Sequence, residues 1–233
     1  MLRARKRILK KPKRNHNLAI GPAVNKYWLQ RYSLFSMYNE GIQMDEEGWY
    51  SVTPEAIAIS QAERCAGGGV VIDGFAGVGG NAIQFARMRC KVVAIDIDPR
   101  KIELALNNAK IYGVDSQIDF VVGDFLQQAP SLKADVVFLS PPWGGPSYKN
   151  MKKFTLDLLK PKDGYSIFQI AQRITPNIIM FLPRNVDLLQ LEELAWLSYP
   201  PLPLEIEENY VGNNLKGITA YFGNTARESA RLP

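Results

Sequence analysis

Short apolar segments alternate with helical patterns along the middle of this 233-residue chain, and this alternation constrains the fold more than any other feature. Four segments have the length and the β-branched content of buried strands: 70–73, 91–96, 118–122 and 134–139. Helical patterns at about 81–88 and 102–112 separate the first three, and Gly113 ends the second helix. Repeated strand-helix units predict an α/β fold with a doubly wound parallel sheet and right-handed crossovers.

The second half of the chain continues this pattern and then closes it. A helix around 166–174, a strand at 178–182 and a helix at about 186–196 are predicted. Strands at 204–210 and 217–222, separated by the turn Gly212-Asn213-Asn214, predict an antiparallel hairpin at the end of the sheet.

The region before the sheet divides into two parts. Residues 1–22 are predicted to be a basic disordered arm, 23–65 a helical extension, and 66–233 the sheet domain. Within the extension, one helix is predicted from Asn25 to about Tyr38. A second is predicted from Thr53, as N-cap before Pro54, to about Cys65.

Charge is distributed unevenly along the chain. Ten basic residues precede Glu40, the first acidic residue, although the net charge of the whole chain is only +5. A basic arm of this kind indicates contact with nucleic acid or a nuclear import signal. The single histidine, His16, lies in that arm, which disfavours histidine-based catalysis, and we predict no metal site. Since we find neither a membrane span nor a secretory signal, we expect an intracellular protein.

A polar residue lies at the end of each of the four central strands, at the edge where such sheets bind ligands. These residues are Asp73, Asp96, Asp124 and Ser140. Between the first strand and its helix, glycines at 77, 79 and 80 would allow a ligand to approach the backbone and the free N–H groups of the helix. Such a loop alone fits a dinucleotide enzyme, a methyltransferase or a tight turn.

The three acids narrow this choice. A carboxylate at Asp96 can accept hydrogen bonds from a ribose diol, which NAD and S-adenosylmethionine both carry. Asp73 would repel a pyrophosphate but favour the cationic amino acid part of S-adenosylmethionine. Asp124 suits an adenine amino group, although each acid alone fits a turn or a helix cap. Residues 70–145 resemble the class I S-adenosylmethionine-dependent methyltransferases, whose Rossmann-like sheet has seven strands and a C-terminal antiparallel hairpin.

The fourth strand ends in the sequence LSPPWGG at 139–145. It resembles the loop that receives an exocyclic amine in the amino-methyltransferases of this class. The Ser140 oxygen and the Pro141 carbonyl could orient the amine protons and turn the lone pair toward the methyl group, so catalysis would be mainly positioning and electrostatic. Trp143 offers the best aromatic face for a cation, and 7-methylguanine is a cationic base with an exocyclic amine.

Taken together, the motifs resemble the trimethylguanosine synthases, which convert 7-methylguanosine RNA caps to 2,2,7-trimethylguanosine. The resemblance runs from about Lys26 to Phe222. It rests on VGGN at 78–81, IDIDP at 95–99, GDF at 123–125, FLSPPWGGP at 138–146, FLPRN at 181–185 and ITAYFG at 218–223. The family's usual DAFCG appears as DGFAG at 73–77, where backbone contacts are expected, so the difference weakens the cofactor assignment only slightly.

The resemblance implies a role for each site residue. Ser140, Pro141 and Trp143 would be catalytic. The cofactor would be held by Phe35, Thr53, Asp73, Phe75, Ala76, Gly77, Gly79, Asn81, Asp96, Ile97, Asp124, Phe125 and Ser140. The capped substrate would be held by Lys26, Trp143, Tyr148, Arg184, Asn185 and Lys216.

The resemblance also implies a nuclear monomer that acts on capped small nuclear and nucleolar RNAs, alongside ribonucleoprotein proteins and away from membranes. Two other functions stay open at this point. One is methylation of an internal guanine N2 or adenine N6 of RNA or DNA. The other is a catalytically silent module that only binds capped RNA.

Overall fold

The computed structural model describes residues 25–227, and the side chains from Tyr27 onward. Its seven strands are β1 Val70–Asp73, β2 Lys91–Asp96, β3 Ile118–Val122, β4 Val136–Leu139, β5 Ile178–Pro183, β6 Leu204–Val211 and β7 Asn214–Phe222. They form one sheet in the order β3-β2-β1-β4-β5-β7-β6. β1 to β5 pair in parallel, and β7 pairs antiparallel with both β5 and β6. The predicted fold class, a mostly parallel seven-stranded sheet closed by a hairpin, is confirmed.

Nine α-helices are assigned within residues 25–227. They are α1 Asn25–Trp28, α2 Arg31–Leu34, α3 Gly48–Ser51, α4 Glu55–Glu63, α5 Gly80–Arg87, α6 Pro99–Tyr112, α7 Phe125–Gln128, α8 Gly164–Gln172 and α9 Leu188–Ala195. The longest, α6, has the expected end signals: the Asp98 carboxylate accepts from the Arg100 N–H at 2.8 Å, and Gly113 is left-handed at φ 67°. None of the helices in this described range is long and apolar enough to cross a bilayer.

Two buried clusters lie on opposite faces of the sheet, because successive strand residues point to opposite sides. In β1, Val71 belongs to one cluster and Ile72 to the other. The first cluster also contains Leu34, Phe35 and Trp49, so the described part of the N-terminal extension packs on that face. The extension therefore covers part of one face of the sheet. The proposed domain division stays a prediction, and the arm 1–22 lies outside the described residues.

Two predicted helices in the extension differ from the structure. The helix expected over 25–38 is instead α1 and α2. α2 ends at Leu34, where Phe35 is extended (φ −143°, ψ 114°) and its ring is buried in the core. Thr53 does not cap a helix. Pro54 takes the cap position with extended ψ, α4 starts at Glu55, and no side chain caps it. The helix ends at Glu63, two residues before the predicted end.

Other boundaries moved by one to three residues. β4 begins at Val136 rather than 134, where the preceding Asp135 binds both backbone groups of Val70 at the strand entrance. α8 and α9 begin after Asp163 and Asp187, whose carboxylates accept from backbone N–H groups in the first turn. The hairpin turn is shorter than predicted, since Val211 pairs with Asn214 across Gly212 and Asn213.

Candidate active site

A cleft opens at the carboxyl ends of β1 and β4, which are neighbours in the sheet. β1 is the point from which the strand order runs in both directions, and such a switch point leaves a crevice between the two outgoing loops. The loops 74–80 and 140–146 supply much of its wall, and the segment 50–53 from the extension supplies more. Its free space is about 940 Å³, the open mouth included.

Asp73 lies at the bottom of this cleft and is only 1% exposed. One carboxylate oxygen accepts from the Phe75 N–H at 3.4 Å, and no lysine or arginine of the described residues forms an ion pair with it. The pKa of Asp73 is raised to about 7, mainly by burial and in part by the nearby charge of Asp96, although backbone N–H bonds lower it. A buried carboxylate without a cation, on a cleft wall, suits a cationic ligand group.

Asp96 links the ends of two strands. Its Oδ2 accepts from the Gly77 N–H at 2.8 Å, and its Oδ1 accepts from the Asp98 N–H at 3.0 Å. Gly77 is left-handed at φ 51° and has open space where a Cβ would lie, so the loop keeps room for a ligand. Burial raises the pKa of Asp96, while these two hydrogen bonds lower it. The carboxylate is therefore held in place beside the glycine loop.

The acidic residue at the end of β3, Asp124, forms a helix cap. Asp124 accepts from the Leu126 N–H at 2.9 Å and caps α7, which is the alternative that the sequence left open. The next residue, Phe125, is buried and contacts the ring of Phe75 with centroids 6.0 Å apart. Ile97, at the end of β2, is 72% exposed. An exposed aliphatic side chain beside a carboxylate cluster could cover a flat aromatic base.

The loop after β4 holds its tryptophan firmly. The Trp143 ring stands edge-on to Tyr148, with centroids 5.2 Å apart at 88°, and lies 5.4 Å from Phe181. Its Nε1 is buried with no partner in the described structure. Gly144 and Gly145 have φ of 80° and 78°, a conformation that favours glycine, and the Pro142 carbonyl accepts from the Lys160 N–H at 3.1 Å. Ser140 and Pro141 lie on the same wall.

Tyr148 and Asn185, two of the predicted cap-binding residues, lie beside the Trp143 loop. Tyr148 is buried, and burial raises its pKa against the charge of Arg184, which places that exposed arginine nearby. Asn185 donates to the Tyr148 and Met151 carbonyls at 3.2 and 2.9 Å, so it holds this loop. Lys216 donates to Gln30 at 3.3 Å. The side chain of Lys26 lies outside the described residues.

The cleft brings together many of the predicted residues. On its wall are Thr53, Asp73, Phe75, Ala76, Gly77, Asn81, Ser140, Pro141, Trp143 and Tyr148. Gly79, Asp96, Ile97, Asp124, Phe125, Arg184, Asn185 and Lys216 are not on that wall. Phe35 packs in the core behind Gly80, whose Cβ would come within 3.9 Å of the ring.

Sequence reasoning missed several wall residues, among them Tyr27, Glu47, Tyr50, Ser51 and Lys101. Lys101 is nearly buried and pairs with Asp45 at 2.8 Å and Glu47 at 3.1 Å. Burial alone would lower the pKa of Lys101, but these two carboxylates raise it. The acidic run Asp45-Glu46-Glu47 was the only sequence signal for this ion pair. Nothing in the sequence pairs such a run with a lysine on a distant helix.

Comparison with known proteins identifies the family to which the chain belongs. A sequence profile described as RNA cap guanine-N2 methyltransferase matches residues 68–225, more than half of the chain. The chain belongs to this family. It is therefore an enzyme that methylates the N2 amine of guanine in RNA caps, and the resemblance seen in the sequence is confirmed.

Two curated relatives agree with the profile. The chain is 44% identical over 214 residues to a trimethylguanosine synthase of Schizosaccharomyces pombe, covering 86% of each chain. It is 37% identical over 217 residues to a trimethylguanosine synthase of Saccharomyces cerevisiae, covering 85% of this chain and 67% of that one. A solved structure of a candidate methyltransferase from Porphyromonas gingivalis W83 has a TM-score of 0.67 at 13% identity, covering 87% of this chain and 49% of that one. The last comparison shows the fold alone.

Proposed function

We propose that this protein uses S-adenosylmethionine to convert 7-methylguanosine caps to 2,2,7-trimethylguanosine. The observation that carries the proposal is the arrangement of one cleft. Its SPPW loop and the buried Asp73 carboxylate line the same space, and no lysine or arginine of residues 27–227 forms an ion pair with that carboxylate. The names of the two curated relatives support the product.

The residues of the cleft fit S-adenosylmethionine, which when bound supplies an electrophilic methyl group on a sulfonium. Asp73 would hold the ammonium, because a buried carboxylate gains most from a charged donor. Asp96 would accept from the ribose hydroxyls, since each of its oxygens has a second lone pair beyond the backbone bond it already accepts. Ile97 and Asp124 would contact the adenine.

Ser140 and Pro141 would hold the two protons of the guanine amine, because an aryl amine delocalises its lone pair and needs orientation before it can attack. Among the described residues that line the cleft, no histidine stands ready to act as base. The amine proton is therefore expected to leave after the nitrogen has formed its new bond and become acidic. Rigid positioning by two prolines supplies the catalytic advantage.

Trp143 would stack on the cationic base, and its fixed edge-on contact with Tyr148 keeps the ring from turning away. Arg184, Lys149, Lys216 and Lys26 would meet the cap triphosphate, which needs cationic partners. Small nuclear and nucleolar RNAs are the proposed substrates and the nucleus the proposed location, in line with the basic arm. We propose that the enzyme works as a monomer.

A mass-resolved methylation assay with S-adenosylmethionine tests the function. We expect 7-methyl-GTP to gain one and then two methyl groups and GTP to gain none. Trp143→Ala should lower kcat/KM for 7-methyl-GTP by a factor of about 100 or more, because stacking and desolvated cation–π contact are worth about 2 kcal/mol or more and positioning is removed as well. Its affinity for S-adenosylhomocysteine, measured by calorimetry, should change by less than about threefold, since the ring lies on the cap side of the cleft.

Other outcomes would point elsewhere. Equal methylation of GTP and 7-methyl-GTP would favour an internal base as the substrate. Binding of 7-methyl-GTP with no binding of S-adenosylhomocysteine would favour a silent cap-binding module. Unchanged turnover in Trp143→Ala would contradict the proposal.

A further inference from the structure

A chain of side-chain hydrogen bonds leads from Asn81 through the core to the far edge of the sheet. Asn81 Nδ2 donates to Gln61 Oε1 at 2.6 Å, and Gln61 Nε2 donates to Thr219 Oγ1 at 2.9 Å. The Thr219 hydroxyl donates to Asn209 Oδ1, and Asn209 Nδ2 donates to Glu207 Oε1 at 2.6 Å. We call these five residues the polar relay. It crosses α5, α4, β7 and β6, and no motif in the sequence marks it.

The polar relay is buried except at its end. Gln61 and Thr219 are 0% exposed, Asn209 is 4% and Asn81 is 6% exposed. Glu207, whose side chain is 29% exposed, also pairs with Arg64 at 3.1 Å. Buried polar groups of this kind are costly unless each finds its partner, so the directions of the bonds are not interchangeable.

Every bond in the polar relay donates toward Glu207. A carboxylate only accepts, so Asn209 must present its NH₂ to it and its oxygen to Thr219. The same logic continues through Thr219 and Gln61. If any one amide turned over, two donors or two acceptors would face each other in the core. The Glu207 carboxylate therefore determines whether the NH₂ group or the oxygen of Asn81 forms the hydrogen bond to Gln61.

At Asn81, the NH₂ group donates to Gln61. The carbonyl oxygen is therefore the end of the amide that remains for a ligand. Asn81 lines the cleft beside Asp73, and the pKa of Asp73 is lowered in part by the N–H of Ala82, the next residue. The Asn81 carbonyl oxygen and the Asp73 carboxylate would therefore border the same part of the cleft. The opposite orientation would present N–H donors to a cation.

We propose that the polar relay orients Asn81 so that its carbonyl oxygen, together with Asp73, accepts hydrogen bonds from the ammonium of the methyl donor. Gln61, Thr219 and Asn209 are positioning residues, and Glu207 sets the direction. The proposal rests on the proposed use of S-adenosylmethionine. It adds a device for recognising the amino acid part of that molecule, controlled from the C-terminal hairpin.

Binding of two ligands distinguishes an orienting role of the polar relay from a packing role. S-adenosylhomocysteine carries the ammonium, and 5′-methylthioadenosine has the same nucleoside and a thioether without the amino acid part. Dissociation constants for both are measured by calorimetry on the full chain. For Thr219→Val, which keeps the shape and removes the hydroxyl, we expect S-adenosylhomocysteine to bind about tenfold more weakly, or ~1.4 kcal/mol. The affinity for 5′-methylthioadenosine should stay within about twofold, and Thr219→Ser should restore the wild-type value for both.

Glu207→Gln provides a second variant at a partly exposed position, and it decides the matter if Thr219→Val does not fold. A carboxamide can donate as well as accept, so the direction is no longer set, and we expect several-fold weaker binding of S-adenosylhomocysteine alone. Equal weakening of both ligands would assign the polar relay to packing and overturn the proposal, as would unchanged affinities in both variants. Wild-type protein that binds neither ligand would instead contradict the proposed cofactor.

Discussion

Asp73 shows what burial does to a single carboxyl group. Its pKa rises to about 7, mainly because burial disfavours the charged form. The folded protein then keeps the proton at a pH where the unfolded chain releases it. The contribution of this group to the free energy of unfolding therefore falls as pH rises from about 4 to about 7. A cationic ligand reverses the balance, because it stabilises the charged carboxylate.

We expect the affinity for S-adenosylhomocysteine to rise several-fold between about pH 6 and about pH 7.5 and then to level off. Binding of the ammonium drives the proton from Asp73, which costs free energy only below the pKa of the free protein. Calorimetry at a series of pH values measures this. Asp73→Asn should bind more weakly and remove the pH dependence, and 5′-methylthioadenosine should show little dependence in either protein. A flat wild-type profile would contradict the assignment.

At the scale of an element, the segment that includes α3 is held over the cleft by a helix on the sheet. Lys101 of α6 pairs with Asp45 and Glu47 just before α3, and its own side chain is only 7% exposed. The same segment continues to Val52 and Thr53 on the cleft wall. One lysine therefore connects the extension to the glycine loop region, since α6 also packs beside Gly79 through Ala105.

Lys101→Met should lower the free energy of unfolding by about 1–2 kcal/mol, because two partly exposed carboxylates are deprived of their shared cation and a near-buried pair is broken. Urea denaturation monitored by tryptophan fluorescence measures the change. Arg100→Met is the matched control: its pair with Glu103 spans 3.8 Å between side chains that are 67% and 71% exposed. Removal of that pair should cost no more than about 0.5 kcal/mol. Equal effects in the two variants would argue against the role of Lys101.

At the scale of the whole molecule, three exposed lysines follow the SPPW loop although the chain after its first 39 residues is acidic overall. Lys152, Lys160 and Lys162 are exposed in the segment after the SPPW loop, and the backbone of Lys160 is bonded to Pro142. We propose that RNA continuing beyond the cap passes near these side chains. Their charge matches a phosphate backbone.

The triple change of Lys152, Lys160 and Lys162 to Gln should weaken binding of a short capped RNA several-fold in ~0.1 M salt. The dependence of log K on log salt should become shallower by about 0.7 for each phosphate that a lysine no longer neutralises, as for single strands. Affinity for 7-methyl-GTP should not change. Fluorescence anisotropy measures both.

The control for this prediction is the triple change of Lys91, Lys110 and Lys133 to Gln. It removes equal charge at exposed positions elsewhere, since Lys91 starts β2 and Lys133 lies just before β4, at the opposite edge of the sheet from the cleft. If the control variant binds capped RNA with a similar loss of affinity, RNA binding depends on net charge rather than on a defined surface.

Local sequence was enough to predict the sheet and the strand ends. Strand periodicity and the residues that stop a strand act over a few positions, so Asp73, Asp96, Asp124 and Ser140 could be assigned to one edge before any contact was known. Local signals were less reliable in the extension. Phe35 leaves the helical pattern because burial of its ring in the core outweighs local propensity.

The sequence by itself determined the fold class and the family, and it predicted that the loop after β4 receives the amine. Only the tertiary structure decided which side chains complete the cleft and how they are oriented. Lys101 meets Asp45 across 56 positions, and Gln61 meets Thr219 across 158. Such pairs depend on which faces of distant elements come together, and the direction of each hydrogen bond depends on the partner it finds there. No local pattern in a single sequence encodes that information.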